Sequence, residues 1–183
     1  MERNQLIVIT GGPGTGKTAL ITSLQKMGHQ CYEEISRSVI QKGKEQGMEN
    51  YFLESPQAFS RELLKGRMQQ FEQAQAEPLH PQTPYIFLDR GLPDVVAYLD
   101  VLDEDIRSWE KEIADYQYDR VIFLPPWETI YQKDAQRMET FEQAQRLSEQ
   151  LWTTYSKRYS NILELPTGPI NERTQTVLQW LKA

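Results

Sequence analysis

Cysteine is almost absent from this sequence, and basic residues are fewer than acidic ones. Cys31 is the single cysteine among the 183 residues, which excludes an internal disulfide and any zinc site built from several cysteines. The 20 lysine and arginine residues against 26 aspartate and glutamate residues give a formal net charge of −6. This excess of negative charge argues against a broad nucleic-acid-binding surface.

Long hydrophobic runs are also missing. No stretch approaches the ~20 apolar residues that a membrane-spanning helix needs. The short N-terminal apolar run leads directly into a glycine-rich loop rather than a signal-peptide cleavage site. We therefore expect no membrane partner and a cytoplasmic location. Internal repeats and linker-like composition are absent as well, so we predict a single domain over residues 1–183.

The chain is organised around one glycine-rich segment. It matches the P-loop pattern of Gly, four residues, Gly, Lys and Ser/Thr without a mismatch. The apolar run 6–9 before it predicts a buried strand, and the run 19–27 after it has apolar side chains at helical spacing. A strand, a glycine loop and a helix in this order predict a site for a nucleoside triphosphate with Mg²⁺. The loop consists of Gly11, Gly12, Pro13, Gly14, Thr15, Gly16, Lys17 and Thr18.

The residue types of this loop suit phosphate binding. Glycines let the backbone curl, so its N–H groups can point at phosphate oxygens, and the N-terminus of the following helix adds positive charge. We predict that Lys17 reaches the β- and γ-phosphates and that the Thr18 hydroxyl binds Mg²⁺. A glycine-rich turn that merely precedes a helix is the structural alternative, and the agreement of motif and context disfavours it.

Hydrophobic patterns predict five short strands separated by helices. This alternation favours an α/β fold with a mostly parallel sheet that helices cover on both faces. The predicted strands are 6–9, 29–34, 85–88, 120–124 and 161–165. The predicted helices are 19–27, 35–46, 55–76, 93–102, 104–116, 141–155 and a last one from 171 or 174 through 180.

Charged residues follow the third predicted strand, and ligands of open α/β sheets bind beyond the strand ends. Asp89 occupies the position at which P-loop enzymes keep a carboxylate for Mg²⁺ or its waters. Arg90 could clamp a phosphate or an anionic substrate with its planar guanidinium. Asp94 is a candidate substrate contact, although the helix dipole also favours an acidic residue there. A solvated ion pair in a turn is the alternative for Asp89 and Arg90.

Two further segments contain candidate residues. Glu33 and Glu34 end the second predicted strand, where a carboxylate could orient or deprotonate an acceptor hydroxyl. Arg37 could pair with this carboxylate or with an anionic substrate. For Glu33 and Glu34, an acidic pair that caps the N-terminus of the next helix is an equally compatible interpretation. Arg137 lies in a lid-like segment at about 128–146 that could close over the triphosphate; a solvated charged face is the alternative.

With these residues, the sequence resembles the AAA-type ATPase/kinase family of small P-loop proteins that includes the ribosylnicotinamide kinase domain of NadR. It is more distantly similar to the deoxynucleoside and thymidylate kinases. The resemblance implies a P-loop kinase fold whose P-loop strand is central in a five-stranded parallel sheet. It runs from Leu6 to about Leu165 and rests on the P-loop, residues 34–37, residues 88–94 with Ala97 and Tyr98, and Arg137 with the long helix after it.

The resemblance also implies roles for particular residues. Glu34 stands where the nucleoside kinases have their base, and Asp89 with Arg90 matches their acidic–arginine pair. Arg137 matches their lid arginine. Gly91 departs from the pattern, because the deoxynucleoside kinases have serine there. An Asn-Lys-x-Asp guanine signature is missing from the sequence, which favours ATP as the donor.

We therefore expect a kinase that uses ATP and Mg²⁺ to phosphorylate a small nucleoside-like hydroxylated metabolite. The alternative is a nucleotide-dependent binding module or switch that hydrolyses ATP or GTP slowly and has no small-molecule acceptor. The two functions differ in whether a small molecule accelerates nucleotide turnover.

Overall fold

A computed structural model describes residues 3–45, 47–131 and 140–183. Within these ranges, helices and strands alternate along most of the chain. The strands are β1 (Gln5–Gly11), β2 (Gln30–Tyr32), β3 (Tyr85–Asp89), β4 (Arg120–Leu124) and β5 (Ile162–Glu164). The helices are α1 (Lys17–Lys26), α2 (Ser36–Glu45), α3 (Tyr51–Glu54), α4 (Pro56–Ala76), α5 (Leu92–Val101), α6 (Arg107–Glu112), α7 (Phe141–Ser156) and α8 (Ile170–Lys182), and one 3₁₀ turn spans Glu128–Ile130.

The strands form one parallel sheet in the order β2-β3-β1-β4-β5. β1 is central and pairs in parallel with β3 on one side and β4 on the other. The chain builds β2 and β3 on one side of β1 before it crosses to β4 and β5, so the strand order reverses at β1. Ligands of doubly wound sheets bind at such a reversal, beyond the carboxyl ends of the strands. The predicted five-stranded parallel sheet is confirmed.

Two hydrophobic layers lie on opposite faces of the sheet. Because successive strand residues point to opposite faces, Leu6 and Val8 of β1 enter one layer and Ile7 and Ile9 enter the other. The first layer includes buried residues of α4, α5 and α7, and the second includes those of α1 and α8. Among the described residues, no helix has the length and apolar character that crossing a membrane requires.

Several predicted boundaries are wrong. β2 ends at Tyr32, because this edge strand pairs only with the short β3, and Glu33 and Glu34 therefore lie in the loop after it. α6 is limited to residues 107–112 rather than 104–116. α3 was not predicted, because four residues are too few to show helical periodicity; it packs on α2 where Gly43 leaves room for Tyr51.

Candidate active site

The P-loop connects the central strand to α1 at the carboxyl edge of the sheet. Gly11, Gly14 and Gly16 have φ angles of 143°, 71° and 86°, which side chains with a Cβ rarely adopt. A Cβ on Gly11 would lie 2.4 Å from the carbonyl oxygen of Leu124 on β4. The glycines are thus required both for the turn and for the close approach of the loop to the neighbouring strand.

Lys17 is buried and turned back onto the loop. Its Nζ donates hydrogen bonds to the carbonyl oxygens of Gly11 at 2.9 Å and Gly12 at 2.7 Å. Burial lowers the pKa of Lys17 to about 7, and the nearby Arg90 acts in the same direction against the surrounding carboxylates. An anion beside this ammonium group would relieve the cost of its burial.

Thr18 and Asp89 carry the oxygen groups that could hold a magnesium ion. Thr18 lies exposed in the first turn of α1, and the Asp89 carboxylate is buried with its Oδ1 lacking a hydrogen-bond partner in the described part of the chain. Burial raises the pKa of Asp89, and the neighbouring Lys17 and Arg90 oppose this effect. Mg²⁺ binds through one or two protein oxygens and substrate phosphates. The described residues contain no cluster of three His, Cys, Asp or Glu side chains that could hold a metal alone.

Arg90 contacts the P-loop and also acidic residues that follow β2 and β3. Its Nη1 donates to the Gly11 carbonyl at 3.2 Å and to Asp94 Oδ1 at 3.0 Å, and its guanidinium forms an ion pair with Glu34. Its backbone has a φ of 69°, and its N–H donates to the Ile9 carbonyl at 2.9 Å. A left-handed arginine costs roughly 1–3 kcal/mol, and these contacts hold it in place.

Glu34 lies between two guanidinium groups. Its Oε1 accepts hydrogen bonds from Arg67 Nη2 at 3.2 Å and from the Ser36 N–H at 3.0 Å, while its other oxygen faces Arg90. Burial acts to raise the pKa of Glu34, but Arg67 and Arg90 outweigh it and bring the pKa down to about 2. The carboxylate therefore remains ionised at neutral pH and is only a weak base.

Asp94 is buried, and donors occupy both of its oxygens. Oδ1 accepts from the Thr10 hydroxyl at 2.9 Å and from Arg90, and Oδ2 accepts from the Gly91 N–H at 2.9 Å and the Tyr155 hydroxyl at 2.6 Å. The substrate contact expected of Asp94 stays a prediction. In the structure Asp94 holds the Arg90 guanidinium.

Arg37 and Arg137 are the remaining predicted site residues. Arg37 is exposed in the first turn of α2, and within the described residues Glu34 pairs with Arg67 and Arg90 instead of with it. Arg137 falls in residues 132–139, outside the described ranges. Arg37 therefore adds no ion pair to the cluster among the described residues.

Sequence reasoning missed two buried arginines, one that contacts Glu34 and one that contacts the P-loop. Arg67 of α4 donates to the Gly91 carbonyl at 3.1 Å as well as to Glu34, and Arg173 of α8 donates to the Thr15 carbonyl at 3.2 Å. Each lies in the buried stripe of its helix. The sequence signal that could have indicated them is an arginine at a buried position of an amphipathic helix, because a buried cation requires a specific partner.

These features define a P-loop nucleotide-binding protein with a kinase-like fold. A family model described as an AAA domain matches residues 6–173. The chain therefore belongs to this AAA domain family. No protein in the curated collection matches it.

Solved structures of three kinds are similar to the chain. A deoxyadenosine kinase from M. mycoides is 16% identical over 97% of this chain and 99% of its own, with a TM-score of 0.68. A NadR protein in complex with NR is 17% identical over 97% of this chain, which spans 50% of the NadR chain, with a TM-score of 0.69. A thymidylate kinase from Candida albicans is 16% identical over 98% of this chain and 92% of its own, with a TM-score of 0.65. These similarities establish the fold.

Proposed function

We propose that this chain is a kinase that transfers the γ-phosphoryl group of ATP to a hydroxyl of a small nucleoside-like metabolite. The observation that carries the proposal is the placement of Arg90, which contacts both the P-loop carbonyl of Gly11 and the Glu34 carboxylate. One guanidinium thus joins the phosphate loop to a carboxylate suited to an acceptor hydroxyl. The fold shared with structures named as deoxyadenosine kinase, NadR and thymidylate kinase supports the proposal.

The P-loop would hold the donor triphosphate. Lys17 would exchange its bonds to the loop carbonyls for bonds to the β- and γ-phosphates, whose charge compensates its buried ammonium group. Thr18 and Asp89 would hold the Mg²⁺ that accompanies ATP. The ion would supply positive charge that offsets the charge of the phosphates.

Glu34 and Arg90 would serve the acceptor. A carboxylate with a pKa of about 2 is a poor proton acceptor, so we assign Glu34 the task of orienting the acceptor hydroxyl toward the γ-phosphate. Phosphoryl transfer makes small demands on a base because its transition state is loose. Arg90, fixed by Asp94, would stabilise charge on the transferred group.

The remaining expectations form part of the same proposal. We propose that residues 1–183 act as one domain and that the segment at about 128–146 closes over the bound triphosphate. Arg137 would then bring positive charge to the transferred group, and the exposed Arg37 would contact the acceptor. A cytoplasmic location would give the protein access to ATP.

ADP release measured across a panel of nucleosides, nucleotides and ribosylnicotinamide tests the proposal. We expect one compound class to accelerate turnover of Mg-ATP well above the rate without acceptor. Tight nucleotide binding with slow turnover that no compound changes would contradict a kinase and favour the nucleotide-dependent switch. The Lys17→Ala variant serves as the background control, because it removes the P-loop cation.

A further inference from the structure

Arg173 of α8 is a buried cation beside the P-loop. Its residue is 3% exposed, and its Nη1 donates to the Thr15 carbonyl at 3.2 Å. Its Nε is buried without a hydrogen-bond partner among the described residues. The ring of Trp127 lies beside it, with 5.6 Å between the ring centroid and the guanidinium carbon. Burial lowers the pKa of Arg173.

No carboxylate in the described part of the chain pairs with Arg173, in contrast to the other buried arginine. Arg67 is equally buried but forms an ion pair with Glu34. A buried charge without a counter-charge is unfavourable, and an aromatic face compensates only a part of it. Arg173 therefore has no counter-charge among the described residues. The group to which it donates belongs to the P-loop, whose glycine-rich turn before a helix is suited to binding an anion.

The Thr15 carbonyl connects Arg173 to the phosphate site. The peptide between Thr15 and Gly16 is planar and trans, so its C=O and N–H point in opposite directions. A guanidinium that holds the carbonyl on the α8 side turns the Gly16 N–H away from α8, and that N–H has no acceptor among the described residues. A charged donor on the carbonyl also polarises the peptide and strengthens its N–H as a donor.

The side chain of Arg173 fits closely against the loop. A Cβ on Gly16 would lie 2.7 Å from its Nη1, so a larger residue in the loop would displace the guanidinium. Gly16 also has a φ of 86°, which presents the N–H in a turn that other residues rarely adopt. The loop and α8 are thus shaped for each other at this contact.

We propose that Arg173 is a positioning residue of the phosphate site. It fixes the Thr15–Gly16 peptide so that the Gly16 N–H faces the phosphates, and the triphosphate of a bound nucleotide compensates its charge. This inference rests on the nucleotide binding of the proposed function but not on any acceptor. It predicts that Arg173 contributes to affinity for the nucleotide more than to the stability of the nucleotide-free protein.

The test compares ATP affinity and thermal unfolding in Arg173→Met and Arg120→Met. Arg120 is the matched control, because it also donates to a carbonyl and lies over a tryptophan, both of Trp180 on α8, but starts β4 at the opposite end from the P-loop. We expect Arg173→Met to weaken Mg-ATP binding at least about ten-fold, the loss of a charge-assisted contact, without a lower unfolding temperature of the nucleotide-free protein. Arg120→Met should retain wild-type affinity.

A lower unfolding temperature of Arg173→Met together with wild-type ATP affinity would overturn the inference and leave a structural role only. If Arg173→Met does not fold, Arg173→Lys and Arg173→Gln decide, since lysine keeps the charge and glutamine only a donor. We expect Arg173→Lys to bind ATP several-fold more tightly than Arg173→Gln. Equal ATP affinities of the two variants would overturn the inference. Failure of the wild-type chain to bind any nucleotide would overturn both this inference and the proposed function.

Discussion

At the scale of single residues, Glu34 has a strongly lowered pKa in a partly buried position. Two guanidiniums share its carboxylate, and they bring its pKa down to about 2. The folded state therefore favours the ionised form more strongly than the unfolded state, where the pKa of glutamate is about 4.3. The resulting stabilisation is fully present above the unfolded pKa and is lost as the pH falls through the folded pKa.

Glu34→Gln should destabilise the protein in a pH-dependent way. The lowered pKa corresponds to about 3 kcal/mol of unfolding free energy at neutral pH, because the variant removes the counter-charge of Arg67 and one of the two carboxylates that pair with Arg90. Urea unfolding should show this difference near pH 7, and the gap to wild type should narrow as the pH falls from about 4.5 toward 2. Glu112→Gln, which breaks an exposed pair with Arg61, should change stability little at any pH. If the difference in unfolding free energy between wild type and Glu34→Gln did not change with pH, the ionised Glu34 carboxylate would not be its cause.

Lys17→Ala should abolish Mg-ATP binding without unfolding the chain. The variant removes the cation that would contact the β- and γ-phosphates, while the nucleotide-free protein loses a buried charge with a lowered pKa. Calorimetry should show at least about a hundred-fold loss of affinity, and circular dichroism should remain unchanged. Lys26→Ala at the other end of α1, where the side chain is exposed, is the control. Retained binding by Lys17→Ala would exclude the P-loop interpretation.

At the scale of elements, α7 contacts both parts of the site. The P-loop packs on it closely, since a Cβ on Gly12 would lie 3.0 Å from the Ala144 carbonyl and 3.5 Å from Ser148 Cβ. At the second-last residue of α7, the Tyr155 hydroxyl donates to Asp94 at 2.6 Å. Because Asp94 holds Arg90 and Arg90 pairs with Glu34, a displacement of α7 would affect the P-loop and Glu34 together.

Tyr155→Phe should therefore reduce phosphoryl transfer more than ATP binding. The variant removes one of the four donors to Asp94, and a buried acceptor that loses a partner costs about 1–3 kcal/mol of stability. We expect the turnover rate to fall about ten-fold or more, with ATP affinity within about two-fold of wild type. Tyr159→Phe on the adjacent ring is the control, because its hydroxyl does not contact Asp94. Equal effects of both variants on turnover would show that the Tyr155–Asp94 bond has no special role.

At the scale of the whole molecule, the strand order of the sheet explains which site residues could be predicted from the sequence. The P-loop lies at the carboxyl end of β1, and the pair Asp89 and Arg90 lies at the carboxyl end of β3. Parallel neighbouring strands end at one edge of the sheet, so the proximity of these residues was predictable. Arg67 and Arg173 were missed because their partners come from elements far away in the chain, and only tertiary packing brings them together. The hydrogen bond from Tyr155 to Asp94 could not be predicted for the same reason, since the two residues are 61 positions apart in the chain.

The measurement that tests the central claim most directly is the fate of the labelled γ-phosphoryl group of ATP. Wild-type protein is incubated with Mg-ATP and the accelerating acceptor, and Glu34→Gln is treated in parallel. We predict labelled acceptor from the wild type, whereas Glu34→Gln should bind ATP within about two-fold and transfer at least about a hundred-fold more slowly. Label found only in inorganic phosphate with the wild type would contradict a kinase. Full transfer by Glu34→Gln would remove Glu34 from the mechanism.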